Sequence, residues 1–411
     1  MKKNFIYLFA AICSMGLLTA CGEDDDNVKI PNSETTFTTE EGLILAVNGE
    51  PMVGKVATFT PATATSKATI SLSGEALDLS ALIGGAKADN QPSTMLQTCG
   101  VIPGSPEVTI PVDVLDGEFS GSYETDYCTF NYAGEISKKS LEITLSDVEL
   151  KNKKLSNTAW KLSEIERNAW GDTISGVADP VRLIWESSKD FDVELAPGWA
   201  IQMPLANIIG IMTQMPMVPI EAADTVLGLQ EAMPQLLKQV SFEADGNIRA
   251  RYVDIANGGI TPVESPANLA QYVVKDNNTI LVFLNIQNII YNASQKSKAA
   301  GDGELDLSAV MQVLNTYLPY VKNGVPLEYT MTGDNMSVFL NKDFLMPIIS
   351  VGASLVAQPS VQQLILDAVQ NSDDETLQSF APMMESMIPQ LPAVLNGTTR
   401  LEIGLNLEKA N

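Results

Sequence analysis

Between Leu195 and Ile220 the chain carries no charged side chain, and it carries none again between Phe344 and Leu366. Apolar stretches of that length must be buried, lie against something apolar or cross a membrane, so they limit the available folds more than any other feature. Prolines argue against a span: Pro197, Pro204, Pro216 and Pro219 interrupt the first stretch, Pro347 and Pro359 the second. Each removes a backbone donor in a setting where hydrocarbon offers no substitute. The stretches read instead as short helices, each launched by a proline in its first turn.

Most of the sixteen methionines cluster in and around these helices, among them Met203, Met212, Met215, Met217, Met233, Met346, Met383, Met384 and Met387. Flexible thioethers suit a surface that repacks around variable apolar shapes, and they also fill ordinary cores. One reading is that the helices and a curved sheet enclose a hollow for an acyl chain, lined by Trp199, Met203, Ile208, Met212, Met215, Met346 and Ile349. Burying ten methylenes at about 0.8 kcal/mol each would contribute about 8 kcal/mol, enough to offset the cost of association. The other reading is that the helices cover a sheet and nothing more.

Residues 39–155 read as an all-β domain. LILAV, 43–47, precedes Asn48-Gly49, a dipeptide suited to a tight hairpin turn, and Asp116-Gly117 supplies a second turn. Ala68, Ile70 and Leu72 alternate with polar residues, as do Val108, Ile110 and Val112; Cys128, Phe130 and Tyr132; and Leu141, Ile143 and Leu145. Period two repeated at short intervals predicts an antiparallel sandwich or barrel.

From 156 to 411 the pattern is α+β. Hairpins are expected at 181–196, at 240–254 turning on Asp245-Gly246, and at the turns Asn277-Asn278 and Gly333-Asp334. Helical spacing links Val226, Leu229, Met233, Leu236 and Val240; Val310, Leu314, Leu318 and Val321; and Val361, Leu364, Ile365, Ala368 and Val369. Ser372 and Glu375 form a capping box, and 294–304 reads as a loop. Units 181–254 and 326–409 each run hairpin, proline-led helix, second helix, Pro-Gln-Leu and strand, which suggests an internal duplication.

The N-terminus begins MKKNFIYLFAAICSMGLLTAC: two lysines, an apolar run, then Leu18-Thr19-Ala20-Cys21. Residues 1–20 are a secretion signal by this pattern, too short for a comfortable span. The tetrapeptide resembles a bacterial lipobox, which implies lipidation at Cys21. Gly22, Glu23 and Asp24 to Asp26 open an acidic tether over 21–38 and resemble the tag of Bacteroidetes surface lipoproteins. The whole chain is similar to the uncharacterised Bacteroidetes outer-membrane lipoproteins of comparable length, which implies an outer-membrane lipid anchor, at the cell surface or on the periplasmic face, and no particular chemistry. Multiple acyl chains would make such anchoring permanent. In that oxidising compartment Cys99 and Cys128 are expected to form a disulfide, worth about 3–4 kcal/mol in the chain-entropy model.

With a formal charge of −25 and no histidine, nucleic acid is an unsuitable partner, and Ser-His-Asp, Cys-His and mixed zinc sites are excluded. GEPMVGK, 49–55, has phosphate-loop spacing, but Val56 stands where Ser or Thr is required; GDGELD, 301–306, lacks the later positions of a calcium loop. No pair of carboxylates stands out for glycoside hydrolysis. The expectation is a non-enzymatic, cofactor-free envelope protein that binds a lipid or other apolar molecule. The alternatives are a structural envelope component and a glycan-binding lipoprotein, for which Trp160, Trp170, Trp185 and Trp199 would be the stacking rings. The segment NTAWKL around Trp160 resembles the opening strand of bacterial lipocalin-like domains.

Overall fold

The computed structural model describes residues 30–78, 95–168, 173–196, 198–216, 218–220, 225–254, 259–289, 317–371 and 381–410. Residues 1–20, expected to be a secretion signal, and Cys21, Trp170, Met217, Val310, Leu314, the expected loop at 294–304, GDGELD and the expected Ser372/Glu375 box lie outside them. Strands dominate what is described. The first of them, Thr35–Thr38, falls within the expected tether and pairs with Lys55–Thr60, so folded structure begins earlier than the acidic composition suggests.

The N-terminal part is two facing sheets. One is ordered Thr35–Thr38, Lys55–Thr60, Ala68–Gly74, Glu107–Val112; the other Glu50–Pro51, Leu43–Val47, Leu141–Leu150, Cys128–Ile136, Glu118–Glu124. The alternating residues named from the sequence all point inward: Ile70, Leu72, Ile110, Cys128, Leu141, Ile143 and Leu145 are fully or almost fully buried. Asn48 and Gly49 both have positive φ, 49° and 82°, and Asp116 and Gly117 have 52° and 93°, the left-handed pair that a two-residue hairpin turn requires. The expected antiparallel pattern has one exception. Leu43–Val47 runs parallel to Leu141–Leu150, Leu43 opposite Leu141 and Val47 opposite Leu145, which places the second strand between the last strand of the sandwich and its sequence neighbour Glu50–Pro51.

Nine of the strands beyond 156 run round a ring that an isolated bridge closes. Thr158–Leu162 pairs with Leu237–Phe242, which pairs with Ile248–Val253. Next comes one interrupted strand: Pro262–Glu264 pairs with Arg251–Val253, and after a short detour Gln271 of Ala270–Val274 meets Asn247. Thr279–Leu284, Val325–Thr332, Asn335–Leu340 and Thr398–Lys409 follow, each antiparallel to the one before, and the last returns to Thr158–Leu162. NTAWKL thus supplies the first strand of an eight-stranded barrel. A ring of eight leaves an interior that side chains can just fill. Trp160, Leu162, Phe242, Tyr272, Tyr329, Met336 and Leu407 are all buried in its core.

One apolar cluster runs without a break from Phe37 in the first sheets to Leu407 in the barrel. The junction is also pinned by polar contacts: Leu150 N donates to Ala244 O at 2.8 Å, and Asn48 Nδ2 lies 3.4 Å from Asp245 Oδ2.

Several local expectations are corrected by long-range pairing. The hairpin at 181–196 does not exist: Val181–Ser187 pairs with Thr398–Lys409, while Phe191–Ala196 turns back on Trp199–Met203. The helix expected over 226–240 is only Leu229–Leu236, because Val226 lies in a two-stranded hairpin with 218–220 and Val240 in the barrel. Among the described residues that hairpin has no counterpart in the second suggested repeat unit, where the helix Lys342–Val356 is followed directly by Pro359–Gln370. Leu237–Phe242 and Thr398–Lys409 do flank the same strand, Thr158–Leu162. Proline launches Pro359–Gln370 and caps Leu205–Gln214 through Pro204, but Lys342–Val356 starts from Asn341, whose side chain accepts from Phe344 N at 3.0 Å, and Pro347 lies inside it.

The cysteines are not bridged. Cys99 and Cys128 are both buried free thiols. Each is held toward a different carbonyl: Cys99 Sγ donates to Leu284 O at 3.5 Å, Cys128 Sγ to Pro103 O at 3.6 Å. Burial, the main cause, pushes the Cys128 thiol up to about 12. Reductant should therefore leave the melting temperature unchanged, and a thiol reagent should find both cysteines only after denaturation. A melting point that falls on reduction would restore the disulfide.

Candidate functional site

The seven residues expected to line a hollow fall into different surroundings. Leu205–Gln214 packs its Leu205 and Ile208 against Phe191 and Val193 of the 191–203 hairpin, and Met387 and Val394 close the same small core. Ile208 is buried there and Met203 packs at its margin. Trp199 and Met212 point the other way, 61% and 50% exposed. Met215, Met346 and Ile349 are half-buried. Ile211 and Met212 of Leu205–Gln214, Ile348 of Lys342–Val356 and Leu364 of Pro359–Gln370 stay in water, the last 69% exposed.

Among the described residues no single helix is long and apolar enough to cross a membrane. Lys342–Val356 and Pro359–Ala368 together would be, but they meet at 87°.

The barrel has a lid. Helix Leu229–Leu236 follows Gly228, touches the strands Thr158–Leu162, Val181–Ser187, Leu237–Phe242 and Ile248–Val253, and packs Met233 against the barrel core. Val181 N donates to Gln230 Oε1 at 2.9 Å and Gln230 Nε2 donates to Val181 O at 3.0 Å, so one carboxamide takes the place of a missing strand beside that edge. Beneath the helix, in an apolar interior, Trp160 is 2% exposed and its Nε1 has no acceptor among the described residues. An unmet buried donor costs about 1–3 kcal/mol.

Four surface clefts lie elsewhere, and one of them, about 540 Å³, is lined largely by apolar residues, Ile30, Phe59, Val112 and Val114 among them. The cleft of about 720 Å³ beside the lid is lined by Glu164, Gln214, Glu231, Gln235 and Lys238 among others. Another, about 820 Å³, lies at the junction and carries Asp147, Glu149, Glu243 and Asp245. Burial pushes the Glu243 carboxyl up, Arg249 opposing and Asp245 and Glu264 reinforcing. None of the seven expected lining residues lines any of the four.

Two features escaped sequence reading. Lys55, the lysine of the phosphate-loop look-alike, is completely buried and donates to Cys99 O at 2.9 Å and Gly100 O at 3.1 Å. Its place at an inward position of the strand that continues Ala57, Phe59 was the available signal. The lid's latch had none, because Gln230 and Val181 are far apart in sequence. Of the tryptophans, Trp160 is interior and Trp185 Nε1 donates to Thr398 Oγ1 at 2.9 Å, which leaves Trp199 as the one exposed ring among those described. Comparison with family models, with curated proteins and with solved structures returned no match.

Proposed function

We propose that this chain is a non-enzymatic envelope protein, lipid-anchored at Cys21, whose C-terminal α+β domain (156–411) takes up an apolar ligand while the β-sandwich (39–155) supports it. The carrying observation is that Ile211, Met212, Ile348 and Leu364 remain exposed on three helices that lie in stretches without charge. An acyl chain laid on such side chains removes water from both partners at about 25 cal/mol per Å². The acidic body also keeps anionic surfaces at a distance, so uptake rests on apolar contact. No cofactor or metal enters this reading. The glycan alternative retains only Trp199 and is not carried further.

Mature protein extracted with organic solvent should release a copurifying lipid, and a fluorescent fatty acid should bind it. Placing a charge on two of these helices in the double variant Met212→Glu/Ile348→Glu should weaken that binding at least tenfold, because each site loses roughly 1.5–3 kcal/mol of available burial. Both side chains are about half exposed, so the fold should survive. Failure of the wild-type protein to copurify or bind lipid removes the proposal.

A further inference from the structure

We infer that Lys55 and Cys99 are a paired modification site, where a hydroperoxide oxidises the Cys99 thiol and the Lys55 amine closes on it to form an S–N cross-link, a sulfenamide. The site is independent of the ligand uptake proposed above.

The reactants are already assembled. Lys55 opens the strand Lys55–Thr60 with a completely buried side chain, and Cys99, 2% exposed, follows the strand Met95–Gln97. Lys55 Nζ lies 3.6 Å from Cys99 Sγ, close to the ~3–3.5 Å of a near-attack contact. Its bonds to Cys99 O at 2.9 Å and Gly100 O at 3.1 Å hold the amine beside this one cysteine. Cys128, the other buried thiol, turns toward Pro103 O instead. Burial lowers the Lys55 pKa from 10.5, with Cys99 opposing, which raises the share of free amine, the form that carries a lone pair. A buried ammonium is costly and the cross-link is neutral, so closing the bond takes a charge out of the interior.

Hydrogen peroxide transfers one oxygen to Sγ, giving a sulfenic acid and water. The Lys55 lone pair then attacks that sulfur, the S–O bond breaks, and the hydroxide leaves as a second water with one amine proton. Sulfur has lost two electrons, peroxide has gained them, and the chain is lighter by two hydrogen atoms. One N–H stays on the nitrogen for the neighbouring carbonyls, while the thiol's bond to Leu284 O is given up. Peroxide is little larger than water, so a brief local opening admits it where a bulky thiol reagent is shut out.

Peroxide added to the reduced mature protein tests this by peptide mapping without thiol. Most molecules should yield a peptide pair joined through Lys55 and Cys99 at the mass of the two less two hydrogens. Trypsin should no longer cut after Lys55, and a thiol reagent added after denaturation should label Cys128 but not Cys99. Excess dithiothreitol should restore both residues. Cys128→Ser should keep the cross-link, which separates it from a Cys99–Cys128 disulfide. Lys55→Met should lose it and let Cys99 run on to the sulfinic acid. The site is overturned if wild-type Lys55 stays cleavable and no joined peptide appears. It is also overturned if the joined peptide forms equally well in urea, where the fold no longer brings the two residues together.

Discussion

Replacing Lys55 with methionine is expected to destabilise the protein by about 2–4 kcal/mol near neutral pH, measured by chemical denaturation. Methionine nearly matches the lysine stem in volume, so packing changes little. The loss is in polar pairing: Cys99 O and Gly100 O, deep at the end of the sandwich, would each lose a donor at 2.9 Å and 3.1 Å. An unsatisfied buried carbonyl costs about 1–3 kcal/mol. Relief of the buried ammonium's desolvation acts in the opposite direction. We expect the carbonyls to win because the ammonium is well satisfied, with Cys99 Sγ as a third acceptor at 3.6 Å. A variant as stable as the wild type would show that desolvation dominates. The pH dependence separates the two effects. Desolvation, the first cause, lowers the Lys55 pKa from 10.5, with Cys99 opposing. Below the lowered native pKa both folded and unfolded states are protonated and the burial penalty is complete; above 10.5 both are neutral and it is gone. Wild-type stability relative to the methionine variant should therefore rise with pH across that window.

Trp160→Ala should cost about 3–5 kcal/mol, while Trp160→Phe costs far less. Trp160 is among the largest fully buried side chains and stands where the barrel closes, opposite Val240 on one neighbouring strand and Lys409 on the other. Alanine would leave a cavity lined by a ring of strands that cannot collapse inward without breaking register. Phenylalanine keeps most of that volume, and the indole N–H it deletes has no acceptor to lose. A Phe variant destabilised as much as the Ala variant would mean that Nε1 makes a hydrogen bond after all.

How much of this was legible depended on the range of the interactions. Ile70, Ile110, Ile143 and their neighbours were assigned to the core correctly because burial on one face of a strand leaves a period-two pattern within six residues. The turn at Asn48-Gly49 was legible because positive φ at two successive positions restricts residue choice locally. The 181–196 hairpin was misread for the opposite reason. Val181–Ser187 alternates as a hairpin arm would, and nothing nearby reveals that its partner is Thr398–Lys409. The helix over 226–240 was overextended because Leu229, Met233 and Leu236 have helical spacing that neighbouring strand residues happened to continue. The seven expected lining residues were chosen by apolarity alone, and apolarity does not say which of two faces a helix turns inward.

By itself the sequence determined the alternating strands of the N-terminal part, where its sharpest turns fall, that its latter half carries uncharged helices, and that histidine-dependent chemistry is unavailable. Each follows from composition or from periods shorter than ten residues. Tertiary structure alone decided that the barrel closes on Trp160, that Lys55 is sealed inside the sandwich, that Cys99 and Cys128 stay apart, and that Leu205–Gln214 buries Leu205 and Ile208 while Ile211 and Met212 stay exposed. These are pairings between residues tens to hundreds of positions apart. Their energies depend on which surfaces meet after chain closure, and a one-dimensional pattern does not record that.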